Sequence, residues 1–307
     1  MGEQYDGSYF LKAAAAGGIC CSVTHSMVCP FDVVKTRIQL KPAEYNAGMV
    51  SAFRKIVKDE GIKALTLGIG PTAVGYFVQG WFKFGGVEYF KIRAVQKLGD
   101  ENAWRYRSAI YLGSAAVAEV IADVFLCPLE ATRIRLVSNP NYAPGLIAAF
   151  PKIIKQEGIF KGFYAGFFPI LCKQVPYTMT KFAVQGRAAE AIANGVSLDL
   201  SKASEKQKMA IALTSGTIAG VAAAIISHPA DTLLSIINKS PTAGGTGSIV
   251  SRLLCLARET GLRKLCTTGL AARCVMIGAL TAGQFAIFDV TMSMCGAQKF
   301  HFRNPNE

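Results

Sequence analysis

No stretch of the chain runs for 18 or more purely apolar residues, which excludes a simple single-span membrane anchor. Acids are scarce: 20 Asp and Glu against 33 Lys and Arg leave a formal net charge of +13. The basic residues are dispersed and form no nucleic-acid-binding motif, so no nucleic-acid partner is expected. The nine cysteines lack any C-x-x-C pair and any histidine at metal spacing, so neither a metal nor a cofactor is expected. Cys20 and Cys21 are adjacent and poorly placed to bridge each other; thiols acting as small apolar residues are the reading. The opening MGEQYDGSYFLKAAAAGG has early acids and no arginine, unlike a cleavable signal or an Arg-rich transit peptide. Gly2 is discounted as an acylation site, because Asp6 stands where Ser or Thr is required. No nucleophile elbow, P-loop or zinc motif is present, and no enzyme is expected. Glu119 and Asp123, one helical turn apart, cannot flank a bond as glycosidase carboxylates do.

What remains is apolar: half the residues are hydrophobic and mean hydropathy is +0.31. Together with the many cations, this fits an integral membrane protein whose charges gather in loops and along an internal pathway. Its spans must be amphipathic, with one side facing a polar cavity.

The chain repeats itself three times. "VCPFDVVKTR", "LCPLEATRIR" and "SHPADTLLSI" place Pro30, Pro128 and Pro229 at intervals of 98 and 101 residues. Downstream come "DEGIKALTLGIGP", "QEGIFKGFYAGFFP" and "RETGLRKLCTTGLAA", whose corresponding glycines, Gly68, Gly166 and Gly269, lie 98 and 103 apart. Three units follow, 1–100, 101–200 and 201–307. Each reads as helix, short helix, helix. The long segments are expected near 10–40, 69–96, 106–137, 167–194, 206–238 and 269–298, each long enough to cross a hydrocarbon core of about 30 Å. Small residues four apart, Gly17 with Cys21 and Gly216 with Gly220, predict close helix packing in lipid. The middle segments, such as "AGMVSAFRKIVKDEG", read as amphipathic surface helices.

The motif P-x-[DE]-x-x-[KR]-x-[KR] followed by an acid-Gly-aromatic-Gly element, three times over, resembles the mitochondrial carrier family across essentially the whole chain. The resemblance implies an all-α membrane protein of six tilted helices in three pseudo-symmetric repeats, each with a short matrix-side helix. One central site would open alternately to either side of the mitochondrial inner membrane. The lipid bilayer, cardiolipin included, would be its surroundings.

Helical geometry at about 100° per residue puts Glu119, Asp123, Glu130 and Arg133 on one stripe, with Pro128 opposite. The same offsets give Cys21, His25, Asp32 and Lys35 in the first repeat. In the third they give Gly220, Ala224, Asp231 and Leu234. Charged stripes in lipid must face a bundle interior or a water-filled cavity. The resemblance makes Asp32, Glu130 and Asp231 the acids of a matrix-side gate, with Lys35 and Arg133 as cations. Leu234 replaces the third cation, so at most two bridges are expected. On the even helices Tyr76, Gln79 and Lys83 correspond to Gln174, Tyr177 and Lys181, then to Ile277, Leu280 and Gln284. With Lys173 and Arg273 nearby, cations converge on one enclosed place, which describes an anion site. Its expected ligands are Gln79, Lys83, Lys173, Gln174, Tyr177, Lys181 and Arg273. On the opposite side Glu88, Lys91 and Asp289 match an outer gate. Gly186 and Met292 break that pattern, so a weak closure is expected.

Within the family, "VTHSMVCPFDVVKTRIQL", "GYFVQGWFKFGGVEYFK", "AEVIADVFLCPLEATRIRL" and "CKQVPYTMTKF" resemble the phosphate carriers. Phosphate ionises a second time near neutral pH, close to the ordinary histidine value of about 6.5. Importing an anion against an inside-negative potential costs about 2.3 kcal/mol per charge per 100 mV, and a co-transported proton cancels that charge. The proton sites expected are Glu119 and Asp123, with His25 matching Asp123 in register. The expected cargo is inorganic phosphate with a proton, or phosphate in exchange for hydroxide. The alternative is a related carrier of copper, helped by Cys21 or Cys29, or of another small anion such as a dicarboxylate. A single cavity thiol suits soft-metal transfer poorly.

Overall fold

A computed structural model of the chain describes residues 5–40, 43–45, 48–66, 68–139, 141–196, 198, 203–239, 249–267 and 269–302, and no strand occurs among them. Gly2 and the unit boundary at 200–201 lie outside the described residues. The first third holds α1 (Gly7–Leu40), the short α2 (Met49–Glu60), a 3-10 turn (Ile62–Thr66) and α3 (Ile69–Leu98). A short α4 (Asp100–Arg105) leads into α5 (Arg107–Ser138), α6 (Leu146–Glu157), α7 (Ile159–Tyr164) and α8 (Phe167–Gly195). The last third holds α9 (Glu205–Lys239), α10 (Ile249–Thr260), α11 (Leu262–Thr267) and α12 (Leu270–Met294). The six long helices fall within a few residues of the expected segments; only α12 stops notably early, at Met294.

At about 1.5 Å per residue each long helix exceeds the bilayer core of about 30 Å. Four stretches are long and apolar enough to cross by themselves: Gly7–Ile38, Arg107–Val137, Glu205–Leu234 and Leu265–Met294. A fifth, α3, qualifies together with α2 as a bent pair. The charges of α3 and α8 turn inward: Lys83, Glu88, Lys91 and Lys181 are all buried. These helices are polar where they face each other rather than lipid. Each long helix packs on the next, and α12 returns to α1, so the six close a ring.

Glycine sets how closely the ring closes. A side chain on Gly80 would overlap the carbonyl oxygen of Gly17, and one on Gly17 would meet Phe84. In the last repeat a Cβ on Gly216 would lie 2.8 Å from the Ala282 Cα, and one on Gly220 2.7 Å from the Ile277 oxygen. The small residues predicted to pack thus do so, bringing α1 onto α3 and α9 onto α12. Dispersion at such short backbone separations replaces the hydrophobic drive that lipid removes.

The surface helices are amphipathic, as their period implies. α2 buries Ala52 and Ile56, and α6 buries Ala149 and Ile153, the same positions one repeat later. All three stop at the glycine of the D-E-G, Q-E-G and E-T-G stretches, Gly61, Gly158 and Gly261, with φ of 82°, 77° and 77°. Paired with the extended ψ of Gly61 and Gly158, these angles belong to a region essentially restricted to glycine. The second basic residue of each motif then ties the surface helix down. Arg37 donates to both carboxylate oxygens of Glu60 at 3.1 and 3.0 Å. Arg135 grips Glu157 in the same way, with its Nε at 3.0 Å. The third repeat has Ile236 and Thr260 at these places.

Candidate functional site

The carboxylates that the α5 stripe points inward meet the even-helix residues expected at the anion site. Glu119 and Asp123 are fully buried. Lys83 Nζ lies 2.9 Å from Glu119 Oε2. Gln79 Nε2 donates to Glu119 Oε1 at 3.1 Å and reaches Asp123 Oδ1 at 3.4 Å. The other oxygen of Asp123 has no hydrogen-bond partner among the described residues. Removing a lysine and a carboxylate from water costs several kcal/mol per ion, so such a pair adds little net stability.

Lys181 sits across from this cluster at the matched position on α8. Its ammonium donates to Gln284 Oε1, the third residue of the predicted layer. It also faces the rings of Phe84 at 4.9 Å, Phe285 at 5.3 Å and Phe182 at 5.5 Å. No carboxylate lies within ion-pair distance of it among the described residues. A buried ammonium satisfied by one amide oxygen and three aromatic faces retains capacity for an anion. Tyr177 shares a hydrogen bond of 3.3 Å with Thr281 on α12, and Gln174 is half-buried on the same helix. His25 stacks flat on Tyr76, ring centroids 3.5 Å apart and planes 3° from parallel. The structure therefore brings Gln79, Lys83, Tyr177, Lys181, Glu119, Asp123 and His25 into the bundle interior.

Nearer the surface helices the expected gate acids are held differently from expectation. Arg133 serves two of them, Asp32 on α1 at 3.2 Å and Glu130 on its own helix at 3.0 Å. Asp231, whose own repeat offers only Leu234, draws on the even helices: Lys173 at 3.7 Å and Arg273 in close contact. Arg273 also donates to Ser227 at 3.0 Å. The limit of two bridges therefore fails, because long cationic side chains from α8 and α12 reach down a turn to the vacant position. Lys173 and Arg273, expected among the anion ligands, are engaged by Asp231. Lys35 makes no contact ion pair among the described residues.

At the other end Glu88 and Lys91 are both buried, but they pair with each other on one helix, at 2.5 Å. Glu88 also accepts from the Tyr9 hydroxyl at 2.9 Å and from the backbone N–H of Phe300 at 3.1 Å. Asp289 shares a small cavity with Gln185, Lys208, Ser293, Lys299 and His301. Residues 295–302 fold over this end and supply contacts that the gate expectation did not include. Lys299, Phe300 and Gln185 were missed as candidates. The available signal was "KFHF": a basic and aromatic run directly after a span, where a solvated tail would be polar.

The two cysteines offered for copper do not converge. Cys21 is buried at the α1–α3 contact against Gly80, and Cys29 packs with Val33 and Val137. All nine cysteines are free.

The family model described as "Mitochondrial carrier protein" matches residues 6–98, 105–194 and 205–299. "Mitochondrial substrate carrier family protein N" of Dictyostelium discoideum is 47% identical over 292 residues, covering 94% of this chain and 96% of its own length. "Mitochondrial phosphate carrier protein 2, mitochondrial" of Arabidopsis thaliana is 40% identical over 96% of this chain and 78% of its own. "Solute carrier family 25 member 3" of Homo sapiens is 39% identical over 99% and 80%. A threefold match spanning nearly every residue, on six helices closed into a ring, leaves one assignment: the chain belongs to the mitochondrial carrier family.

Proposed function

We propose that the chain carries inorganic phosphate across the mitochondrial inner membrane together with a proton, by alternating access. Exchange for hydroxide is the same process thermodynamically. The relatives named as phosphate carriers support the cargo. The observation that carries the reading is Lys181: buried, ringed by three phenylalanines, without a carboxylate partner among the described residues, and within electrostatic reach of Lys83 and Glu119. An entering phosphate gains Lys181 and competes with Glu119 for Lys83. As Lys83 turns to phosphate, Glu119 and Asp123 are left as two adjacent carboxylates, which favours their sharing a proton. Proton and anion thus load together.

In this reading Gln79, Gln174 and Tyr177 orient the anion, and His25, held flat on Tyr76, belongs to the proton path. Asp32, Glu130 and Asp231, with Lys35, Arg133 and the borrowed Lys173 and Arg273, close the matrix side. Glu88, Lys91 and Asp289 close the cytoplasmic side. The exposed cations Arg54, Lys55 and Lys58 of α2 suit an anionic lipid such as cardiolipin. The units 1–100, 101–200 and 201–307 act as three arms of one transporter, and no covalent step is catalysed.

The test is uptake of radiolabelled phosphate into liposomes holding the purified protein, with and without a pH gradient. An acidic exterior is expected to accelerate uptake. Uptake of a dicarboxylate or copper, with none of phosphate, would overturn the proposal.

A further inference from the structure

The segment after α12 does not behave as a solvated tail. It turns at Gly296, where φ is 67°, and runs back into the end of the bundle. Lys299, Phe300 and Phe302 are 8%, 6% and 7% exposed. Lys299 Nζ donates to Gln185 Oε1 on α8 and lies 4.8 Å from the Phe285 ring on α12. Phe300 donates its backbone N–H to Glu88 on α3, and its ring packs on Tyr5 at 5.6 Å and under the Lys91 ammonium at 5.5 Å. Phe302 packs on Tyr111 of α5 at 5.1 Å. Three residues thus touch helices from all three repeats.

The charges under the segment are those the outer end lacks or leaves unmatched. Ala189 and Met292 stand at the cation positions of the second and third repeats, Gly186 replaces the second acid, and the Glu88–Lys91 pair stays on one helix. Lys299 brings a cation to the cavity lined by Asp289, whose Oδ1 has no hydrogen-bond partner among the described residues. A permanent cap has no need of buried charges, which cost free energy to keep dry. A cap that leaves lets them rehydrate. Burial, more than any neighbour, pulls the Lys299 ammonium down to about 8, so its charge is held only loosely under the cap.

We propose that residues 299–302 are a built-in plug: they close the terminal side of the pathway, Lys299 standing in for the missing gate cations, and withdraw when that side opens. This rests on the carrier reading, since a plug implies a path. An immobile outer end would make the same contacts useful only for stability.

The test uses the full chain reconstituted in liposomes, with a thiol reporter at Ser215→Cys. Ser215 is fully buried on α9 and accepts from Gln185 at 3.4 Å, beneath the segment. A membrane-impermeant maleimide is added on the side of the termini, and labelling is read peptide by peptide without phosphate present. Lys299→Gln with Phe300→Ala is expected to speed labelling roughly tenfold by shifting the population towards the open form. Lys206→Gln, at an exposed position of α9 outside that cavity, is expected to leave it unchanged. Equal labelling in the double variant and its parent overturns the proposal. If the double variant fails to fold, the single Phe302→Cys variant decides. Its own thiol should label faster during transport than at rest; equal rates there identify a static cap. Because the first readout needs no transported ion, its failure is separable from a failure of phosphate transport.

Discussion

The second and third repeats share a fold but not a chemistry. On α5 the inward stripe carries Glu119, Asp123, Glu130 and Arg133, while on α9 the matched positions are Gly220, Ala224, Asp231 and Leu234. Where α5 presents carboxylates to Gln79 and Lys83, α9 presents a bare backbone so close to α12 that a Cβ on Gly220 would lie 2.7 Å from the Ile277 oxygen. One acid survives in the third repeat, and it is served from outside by Lys173 and Arg273. Pseudo-symmetry therefore fixes where helices go, whereas the inward carboxylates are confined to one repeat. In the proposed mechanism that arm takes the proton, while the third packs backbone to backbone.

The comparison can be broken at its centre. Glu119→Gln removes the carboxyl assigned to the proton, so pH-driven phosphate uptake should fall by roughly 100-fold or more, and stranding the buried Lys83 charge should also cost about 3–5 kcal/mol of stability. The matched Ala224→Ser should alter uptake by less than about twofold, since its hydroxyl can bond the carbonyl one turn back. Comparable losses from both, in parallel liposome assays, would remove the asymmetry between the two arms.

A smaller effect comes from returning the missing cation. Leu234→Arg offers Glu130 a partner across the seam in addition to Arg133. A charge-assisted bond worth about 1 kcal/mol should raise the midpoint of thermal unfolding by roughly 2 °C, and slow uptake by about threefold. Faster uptake would show that the third cation position does not contribute to closure.

The smallest effect concerns the surface helices. Arg37→Gln, which frees Glu60, should lower the unfolding midpoint by about 2–4 °C, whereas Ile236→Arg with Thr260→Glu should raise it by no more than about 1 °C. Thermal scans of the three proteins in detergent check both. A large gain from the grafted pair would mean that the third surface helix is the weakest joint.

The six spans were legible because apolar segments, prolines and glycines recur at one interval, and lipid leaves helices as the only way to satisfy the backbone. The central layer was legible for the same reason, since Lys83, Lys181 and Gln284 share a register. Pairing was not. Arg133 bridges two acids, and Arg273 reaches Asp231, because flexible cationic side chains span a helical turn and settle where negative charge is unmatched. Matched offsets describe where a Cα sits, not where a guanidinium ends. Lys299 was not legible from the repeats, because it is the last residue of the third match and its register counterparts, Leu98 and Val196, carry no charge.

The glycine contacts decide where such a molecule can yield. Within the first and third repeats, odd and even helices meet through backbone: Gly17 with Gly80, Gly216 with Ala282, Gly220 with Ile277; in the second, Gly186 meets the Tyr111 side chain. Across the seam between the first and second repeats, Gly86 and Gly75 meet only side chains and the α-carbon of Ala118, and Lys83 and Glu119 meet as charges. A backbone seam has no rotamer to turn and no water to admit, while a charged seam can exchange its partner for a solvent molecule or an anion. The joint between the first two repeats is thus the one held by exchangeable charge, and opening of the ring is expected to begin there.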